Sequence, residues 1–369
     1  MSKLAKAAII LGILFFVCIG ISCTLFFTAI NPSDIKSDVL NNEGVVFNKS
    51  KVYEINEQYE AELSGITLVK IKSSTNNIRA IESDDDLFYF IINGTIYDLS
   101  LISKKVKFEL IKTGNTLEFK ESNGWMYVGF GQYFKGEIII KVPKTYEGSL
   151  DIDVSSGNVD VSLKNSFNEL KLETSSGKIT IDNIVSKSTN IETSSGQIAI
   201  ANLNTGNTII NTSSGAVKIT KLFSDNLTTQ TSSGSIKIAE LEAKDLDIST
   251  SSGSTNIDKL VANDIKVNSS SGKVELGGSF NKLNVDMSSG IVNIMSKKMN
   301  ADYNIKLSSG RFNLTIPQDT GFKITGDINS GSIKNNITGE KYSNDFSDIV
   351  NGGGYTMTFK VSSGTVQIN

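Results

Sequence analysis

The stretch IETSSGQIAI, residues 191–200, decides the fold of this chain. Before the Ser-Ser-Gly tripeptide, Ile191 and Thr193 share one side of an extended backbone. After it, Ile198 and Ile200 alternate with polar or small residues in the same way. Alternation with a period of two residues is typical of a half-buried β-strand. The stretch therefore predicts two strands joined by a turn at Ser-Ser-Gly.

This unit recurs every 18 to 20 residues from Gly157 to Gly310, and a variant, Asn-Ser-Gly, ends at Gly331. The glycines of the Ser-Ser-Gly turns are Gly157, Gly177, Gly196, Gly215, Gly234, Gly253, Gly272, Gly290, Gly310 and Gly364. A fixed period with the same residues at the same offsets indicates a solenoid, in which each coil buries its apolar side chains against its neighbours. We therefore predict an all-β, single-stranded β-solenoid (β-helix) of about ten coils, here called rungs. An antiparallel β-sandwich, the competing fold, does not account for the period.

The chemistry of the turn gives two further expectations. Glycine adopts positive φ angles readily, so we expect it to permit a sharp bend, and serine hydroxyls can satisfy backbone groups there. A threonine stands three residues before the glycine on five successive rungs. We expect these side chains to point inward and to form hydrogen bonds along the stack. They are Thr174, Thr193, Thr212, Thr231 and Thr250.

The N-terminal region contains a candidate membrane anchor. Residues 7–30 carry no charge, and about 20 apolar residues suffice to cross a bilayer. Lys3 and Lys6 precede this segment, and acidic residues outnumber lysine in the stretch that follows it. The positive-inside rule then keeps the N-terminus in the cytoplasm and exports the rest. A cleaved signal peptide is the alternative, although the apolar run is long for one.

The patterns divide the chain into six parts. Residues 1–6 are a cytoplasmic stub, 7–30 the single transmembrane helix and 31–44 a polar stalk. Residues 45–150 hold irregularly spaced strands, which we expect to cap the open N-terminal end, because solenoids need atypical terminal units to block edge pairing. Residues 151–334 form the regular solenoid, and residues 335–369 form a loop and a C-terminal capping rung.

Composition excludes several classes of function. The sequence has no histidine, so serine or cysteine catalysis with a histidine base and histidine-ligated metal sites are ruled out. Its 36 basic and 39 acidic side chains nearly balance, whereas a dedicated nucleic-acid-binding protein normally has a strong basic excess. We expect no enzymatic activity, no cofactor and no nucleic-acid partner.

Two outward-facing sets are candidate sites. Asp153, Glu173 and Glu192 stand four residues before the glycine on three successive rungs, where their repulsion would be relieved by a bound cation or by splaying into water. A weakly basic stripe after the turns could meet anionic wall polymers or lipid headgroups, although exposed lysines also simply keep a sheet soluble. Its residues are Lys178, Lys218, Lys237, Lys273 and Arg311.

Several motifs together resemble the bacterial DUF4097 family of adhesin-like proteins. They are the N-terminal anchor, the cap segment ending at Lys141–Val142–Pro143, the Ser-Ser-Gly rungs and the final Gly-Gly-Gly…Ser-Ser-Gly unit. The similarity extends over roughly residues 60–369, and the family includes proteins of the LiaG type, linked to Gram-positive cell-envelope stress systems. The resemblance implies a secreted or membrane-anchored, non-enzymatic β-solenoid, and it carries over no catalytic residue.

The sequence therefore predicts a single-pass cell-membrane protein with an extracellular binding scaffold, adhesin-like or accessory to an envelope-stress system. Residues 7–30 would contact the lipid bilayer, and a cell-wall polymer or another membrane protein would be the partner. Two alternatives stay open. One is an ectodomain sensor that acts through a membrane partner, and the other is a polysaccharide-acting β-helix enzyme.

Overall fold

The computed structural model describes residues 51–73, 77–98, 107–122, 132–299 and 302–369. Within these ranges the chain is all-β and forms a β-solenoid of about nine turns, so the predicted all-β solenoid is confirmed. The predicted stub, anchor and stalk, residues 1–44, lie outside the described ranges. Inside them, no helix is long and apolar enough to cross a membrane.

In the described ranges, twenty-five strands form one hydrogen-bonded system. The N-terminal strands are β1 (Lys51–Glu62), β2 (Leu68–Ser73), β3 (Asn77–Ser83), β4 (Leu87–Asp98), β5 (Lys107–Thr113), β6 (Thr116–Ser122) and β7 (Gln132–Pro143). The regular region contains β8 (Ser149–Val154), β9 (Val159–Ser162), β10 (Ser166–Thr174), β11 (Lys178–Thr193), β12 (Gln197–Thr212), β13 (Ala216–Thr231), β14 (Ser235–Thr250), β15 (Ser254–Ser269) and β16 (Lys273–Met287). The C-terminal strands are β17 (Ile291–Met299), β18 (Tyr303–Leu307), β19 (Arg311–Thr315), β20 (Phe322–Ile328), β21 (Ser332–Asn335), β22 (Lys341–Tyr342), β23 (Phe346–Val350), β24 (Tyr355–Val361) and β25 (Thr365–Ile368).

Each regular rung from β11 to β15 is one strand of 16 residues that bends twice between consecutive turns. The buried side chains of β12 are Ile198, Ile200, Leu203, Thr205, Thr208, Ile210 and Thr212. Consecutive buried residues are two positions apart within each face and three positions apart at each of the two bends and across the turn. Five intervals of two residues and three intervals of three residues add up to the repeat length of 19 residues. A rung therefore has three faces, and the prediction of two strands per rung missed the middle face.

The rung with an 18-residue spacing shows how the stack absorbs a deletion. In β16 the residues Gly277 and Gly278 replace one of the bends, and the register between β15 and β16 shifts beside them. A Cβ on Gly278 would overlap the carbonyl oxygen of Leu260 on the preceding rung. Glycine therefore lets the shortened rung stay against its neighbour without losing the parallel pairing on either side of the shift.

The Ser-Ser-Gly turns continue the parallel hydrogen-bond ladder around the corner. Ser214 N donates to Ser194 O at 2.8 Å, and Ala216 N donates to Gly196 O at 3.1 Å. Because that carbonyl oxygen sits against Gly215, a Cβ on Gly215 would overlap it. The Ser-Ser-Gly glycines are not among the residues with positive φ. The expectation that glycine is needed for a positive φ angle is therefore wrong. Glycine is required because successive rungs approach each other closely at the turn.

The N-terminal end of the solenoid departs from chain order. Strand β2 pairs in parallel with both β6 and β8, and β3 pairs with both β7 and β9. The rung β6–β7 is thus the last parallel rung at this end. Antiparallel strands lie beyond it: β5 pairs with β6, β4 pairs with β7, and β1 pairs with β4. Aromatic side chains fill this end, among them Phe90 and Phe119, which stack with ring centroids 5.0 Å apart. The end cap is an aromatic-filled unit, unlike the aliphatic middle.

The C-terminal end has the same kind of exchange. Strand β24 lies between β18 and β20, and β25 lies between β19 and β21. The unit 355–368, which follows all others in the sequence, is therefore inside the stack. The outermost strands are the antiparallel β22 and β23, which pair with β21 and β20. Residues 341–350 therefore cover the C-terminal edge of the stack.

The fold predicts a specific sensitivity at the turn glycine. A Cβ on Gly234 would overlap the carbonyl oxygen of Gly215, so Gly234→Ala should destabilise the rod by about 1–3 kcal/mol, the usual cost of overpacking. The measurement is the urea midpoint of unfolding followed by circular dichroism. The control is Ser233→Ala in the same turn, where the exposed side chain should change stability by less than about 0.5 kcal/mol. Equal midpoints for the two variants would contradict the close-approach explanation.

Candidate functional site

A groove of about 840 Å³ runs along the stack beside the Ser-Ser-Gly turns. One wall is formed by the outward side chains four residues before the turn glycines. These are Asp153, Glu173, Glu192, Asn211, Gln230, Ser249, Asn268 and Asp286. The other wall is formed by the first serine of each turn, namely Ser175, Ser194, Ser213, Ser232, Ser251, Ser270 and Ser288. We call this surface the turn groove.

The register of the strands creates the turn groove. Each residue of the first wall pairs directly with its equivalent on the next rung, from Asp153 through to Asp286. Between the walls lie threonines such as Thr193 and Thr212, which also line the groove. Since parallel strands are about 4.8 Å apart, eight rungs give the groove a length of about 34 Å.

The predicted acidic column lies at one end of the turn groove. Asp153, Glu173 and Glu192 are register partners on three successive rungs. Lys171 lies 2.8 Å from Glu173 in a salt bridge. Glu192 accepts hydrogen bonds from Asn190 at 3.1 Å and from the Asn211 side chain at 3.4 Å. Neighbouring lysine and amide groups therefore relieve part of the repulsion.

A cation is not needed to explain this geometry. Among the residues that the structure describes, no group of three or more histidine, cysteine, aspartate or glutamate side chains is arranged to hold a metal ion.

The predicted basic stripe divides into two separate columns. Lys178 and Lys273 share a column, but Gln197, Ala216, Ser235 and Ser254 stand between them, and Arg311 is two rungs beyond Lys273. Lys218 and Lys237 are neighbours in a different column. Lys237 forms a salt bridge with Asp258 at 3.8 Å, and Lys273 one with Glu275 at 2.9 Å. The structure does not bring the five cations together.

The predicted threonine ladder is buried, but it does not bond along the stack. The hydroxyls of Thr174 and Thr193 accept hydrogen bonds from the N–H groups of Gly177 and Gly196 in their own turns. The buried hydroxyls of the next three members have no hydrogen-bond partner among the described residues. These are Thr212, Thr231 and Thr250. The expected bonding along the stack is therefore wrong, because two of the five hydroxyls bond within their own turns and the other three have no partner among the described residues.

Hydroxyl bonding between rungs occurs at the bend before the last face, where sequence reasoning did not look for it. Ser186 and Thr189 are 2.6 Å apart within one rung. Between rungs, Thr189 donates to Thr205 at 3.4 Å, and Thr208 and Ser224 are 3.0 Å apart. Polar residues at inward positions three apart were the available signal. This network stabilises the bend and lies away from the turn groove.

A protein-family model, Toastrack DUF4097, matches residues 66–224 and 206–369 of this chain. The two matches share residues 206–224 and together cover most of the sequence, including all regular rungs. A search of curated proteins gives no match.

Among solved structures, a candidate adhesin from Parabacteroides merdae is 10% identical, with a TM-score of 0.40, and the alignment covers 85% of this chain and 96% of that one. A candidate adhesin from Parabacteroides distasonis is 13% identical, with a TM-score of 0.39 and coverage of 86% and 97%. A candidate lipid-binding protein from Parabacteroides distasonis is 14% identical, with a TM-score of 0.32 and coverage of 85% and 96%. These likenesses are too distant to transfer a ligand to this chain.

Asp151, next to the acidic end of the turn groove, predicts a pH dependence. Burial raises the pKa of Asp151 above its ordinary value of 3.8, against the opposing effect of Lys171 and Lys70, and its Oδ1 has no hydrogen-bond partner among the described residues. A carboxyl group with a raised folded pKa stabilises the fold below its unfolded pKa, and that contribution is lost as the pH rises through the folded pKa. Asp151→Asn should therefore raise the melting temperature at neutral pH.

The gain from Asp151→Asn should disappear below pH 3.8, where the wild-type carboxyl is protonated as well. Thermal melts across this range test the sign directly. Asp264→Asn, at an exposed position in a bend of another rung, is the control and should change the melting temperature little at any pH. A lower melting temperature for Asp151→Asn at neutral pH would show that its attraction to the lysines outweighs burial.

Proposed function

The chain belongs to the Toastrack DUF4097 family, and from this premise we propose that it is a non-enzymatic, adhesin-like binding scaffold of the cell envelope. In this proposal residues 7–30 hold the protein in the cell membrane, and the solenoid stands outside the cytoplasm. Its role is to hold an envelope polymer, either as an adhesin or as an accessory to an envelope-stress system.

The observation that carries the proposal is the turn groove. It repeats the same outward position over eight rungs, so one extended ligand can contact a polar side chain on each rung. Backbone ladders fix the spacing of the rungs, so the backbone that carries both walls is in place before the ligand arrives. A rigid backbone lowers the entropic cost of binding.

The lining of the turn groove supports binding over catalysis. Polysaccharide-cleaving solenoids require a lysine, arginine or tyrosine base among several acids. The lining residues of the turn groove are aspartate, glutamate, serine, threonine, asparagine and glutamine. The sequence also has no histidine to serve as a general base. The repeated hydroxyl and amide groups are suited to many weak contacts with a polar chain.

Filling the turn groove should weaken capture of envelope material. In Ser232→Tyr the new ring would occupy the middle of the groove, whereas in Ser233→Tyr it would project from the adjacent exposed position that is outside the lining. We expect full-length protein with Ser232→Tyr to retain several-fold less isolated envelope material than either wild type or Ser233→Tyr. The measurement is pull-down with cell-wall glycan, teichoic acid and membrane fractions.

If both tyrosine variants retain the same amount of envelope material, the turn groove is not the binding site. Capture of a single membrane protein, unaffected by Ser232→Tyr, would instead favour the sensor hypothesis.

Export can be tested on intact cells. If residues 7–30 anchor the chain with its solenoid outside, external protease should digest the region after residue 44 while a cytoplasmic marker stays intact. Detection with an antibody against the solenoid measures the loss. Full protection of the solenoid in intact cells, with digestion after lysis, would contradict the proposed location.

A further inference from the structure

The charge of the turn groove narrows the class of ligand. Its lining contains four carboxylates and no basic side chain. The carboxylates stand toward the two ends, with Asp153, Glu173 and Glu192 at one and Asp286 at the other. Lys171 neutralises Glu173, but in the described part of the chain the other three form no ion pair. A chain of phosphates or carboxylates would be repelled, and a ligand with positive groups would be attracted.

The middle of the turn groove is neutral and polar. Asn211, Gln230, Ser249 and Asn268 form one wall there, opposite the serines of the turns. Amide and hydroxyl side chains each offer hydrogen-bond donors and acceptors. Sugar hydroxyls have the same dual character, so a polyhydroxyl chain can satisfy these groups at every rung.

The ends of the turn groove limit the length of the ligand segment that it can bind. The column that holds Asp153 and Asp286 continues with Lys72 before Asp153 and with Lys306 after Asp286. The acidic and neutral section is therefore bounded by lysines on both sides. At about 4.8 Å per rung, it matches a linear polymer of about 34 Å with repeating units.

A polypeptide fits this surface less well. An extended peptide usually adds to a free sheet edge and places side chains in pockets. Strands β12, β13 and β14 are each paired on both sides within the stack, so no edge is free along the middle of the groove. The lining residues are all polar, and none offers an apolar pocket.

We propose that the turn groove binds a linear amino-sugar glycan that carries free, unacetylated amino groups. The hydroxyls of the glycan meet the serine and amide walls, and its ammonium groups lie near Glu192, Asp153 and Asp286. This inference rests on the proposed function and adds the chemistry of the ligand to it.

Titration calorimetry of the full-length protein in detergent micelles tests the charge preference. The probes are a glucosamine oligomer, its fully N-acetylated counterpart, poly(glycerol phosphate) and oligolysine. Mildly acidic buffer keeps the amines of the glycan charged. We expect the glucosamine oligomer to bind about tenfold more tightly than the N-acetylated one at low salt, with the difference shrinking as salt rises.

A matched pair of triple variants locates the effect. Asp153→Asn/Glu192→Gln/Asp286→Asn removes the unpaired groove carboxylates without changing side-chain size, and should weaken glucosamine binding about tenfold while leaving the N-acetylated oligomer unchanged. Glu169→Gln/Glu242→Gln/Asp264→Asn removes three exposed carboxylates from outside the lining and should change neither. Circular dichroism confirms that both variants keep the β-fold.

Three results would overturn the inference: tighter binding of the N-acetylated oligomer, preference for poly(glycerol phosphate), or oligolysine binding as tightly as glucosamine with the same variant dependence. If any of these occurs while Ser232→Tyr still abolishes envelope capture, the scaffold function stands and only the ligand class is wrong. If no probe binds and Ser232→Tyr captures envelope material normally, both proposals fail.

Discussion

The structure depends on the close approach of successive backbones at each Ser-Ser-Gly turn. The carbonyl oxygen of one turn glycine accepts a hydrogen bond from the residue after the next turn glycine, as between Gly196 and Ala216. Only glycine leaves room for that oxygen. Because the ladder does not break at the turn, most residues of the regular rungs have a fixed partner on the next rung. The fixed register in turn aligns the inward side chains into a core and the outward ones into columns.

Much of the regular region could be predicted from the sequence, because the spacing of the turns and the alternation around them are local. The alternation of Ile198 and Ile200 with polar or small residues predicts their burial from the sequence alone. The middle face was hidden, since its inward positions include Ser186, Thr205 and Ser224, which look like exposed residues in a sequence. Their burial becomes understandable only when the hydroxyls are seen to bond with one another and with nearby carbonyl groups. A polar residue inside a solenoid is thus recognisable only from its neighbours in space.

The candidate site was predictable to a similar extent. The adjacency of Asp153, Glu173 and Glu192 follows from their equal offset from the turn glycine. The concave shape between that column and the serines does not, because it depends on the angle between two faces of the rung. The five residues of the predicted basic stripe do not form one column, because their offsets from the turn glycine differ. Lys178 and Lys218 therefore lie in different columns. Offsets, and not proximity to a turn, decide which side chains meet.

The exchange of units at the C-terminal end has a consequence for how the molecule is assembled during synthesis. Strands β20 and β21 are made before β24 and β25, yet they sit on top of them. The earlier pair can reach its final position only after residues 355–368 have been synthesised and lie between β18–β19 and β20–β21. A nascent chain interrupted before that point cannot close its stack and leaves interior strand edges open to other chains. The order of the strands therefore makes synthesis through residue 368 a condition for forming the complete stack.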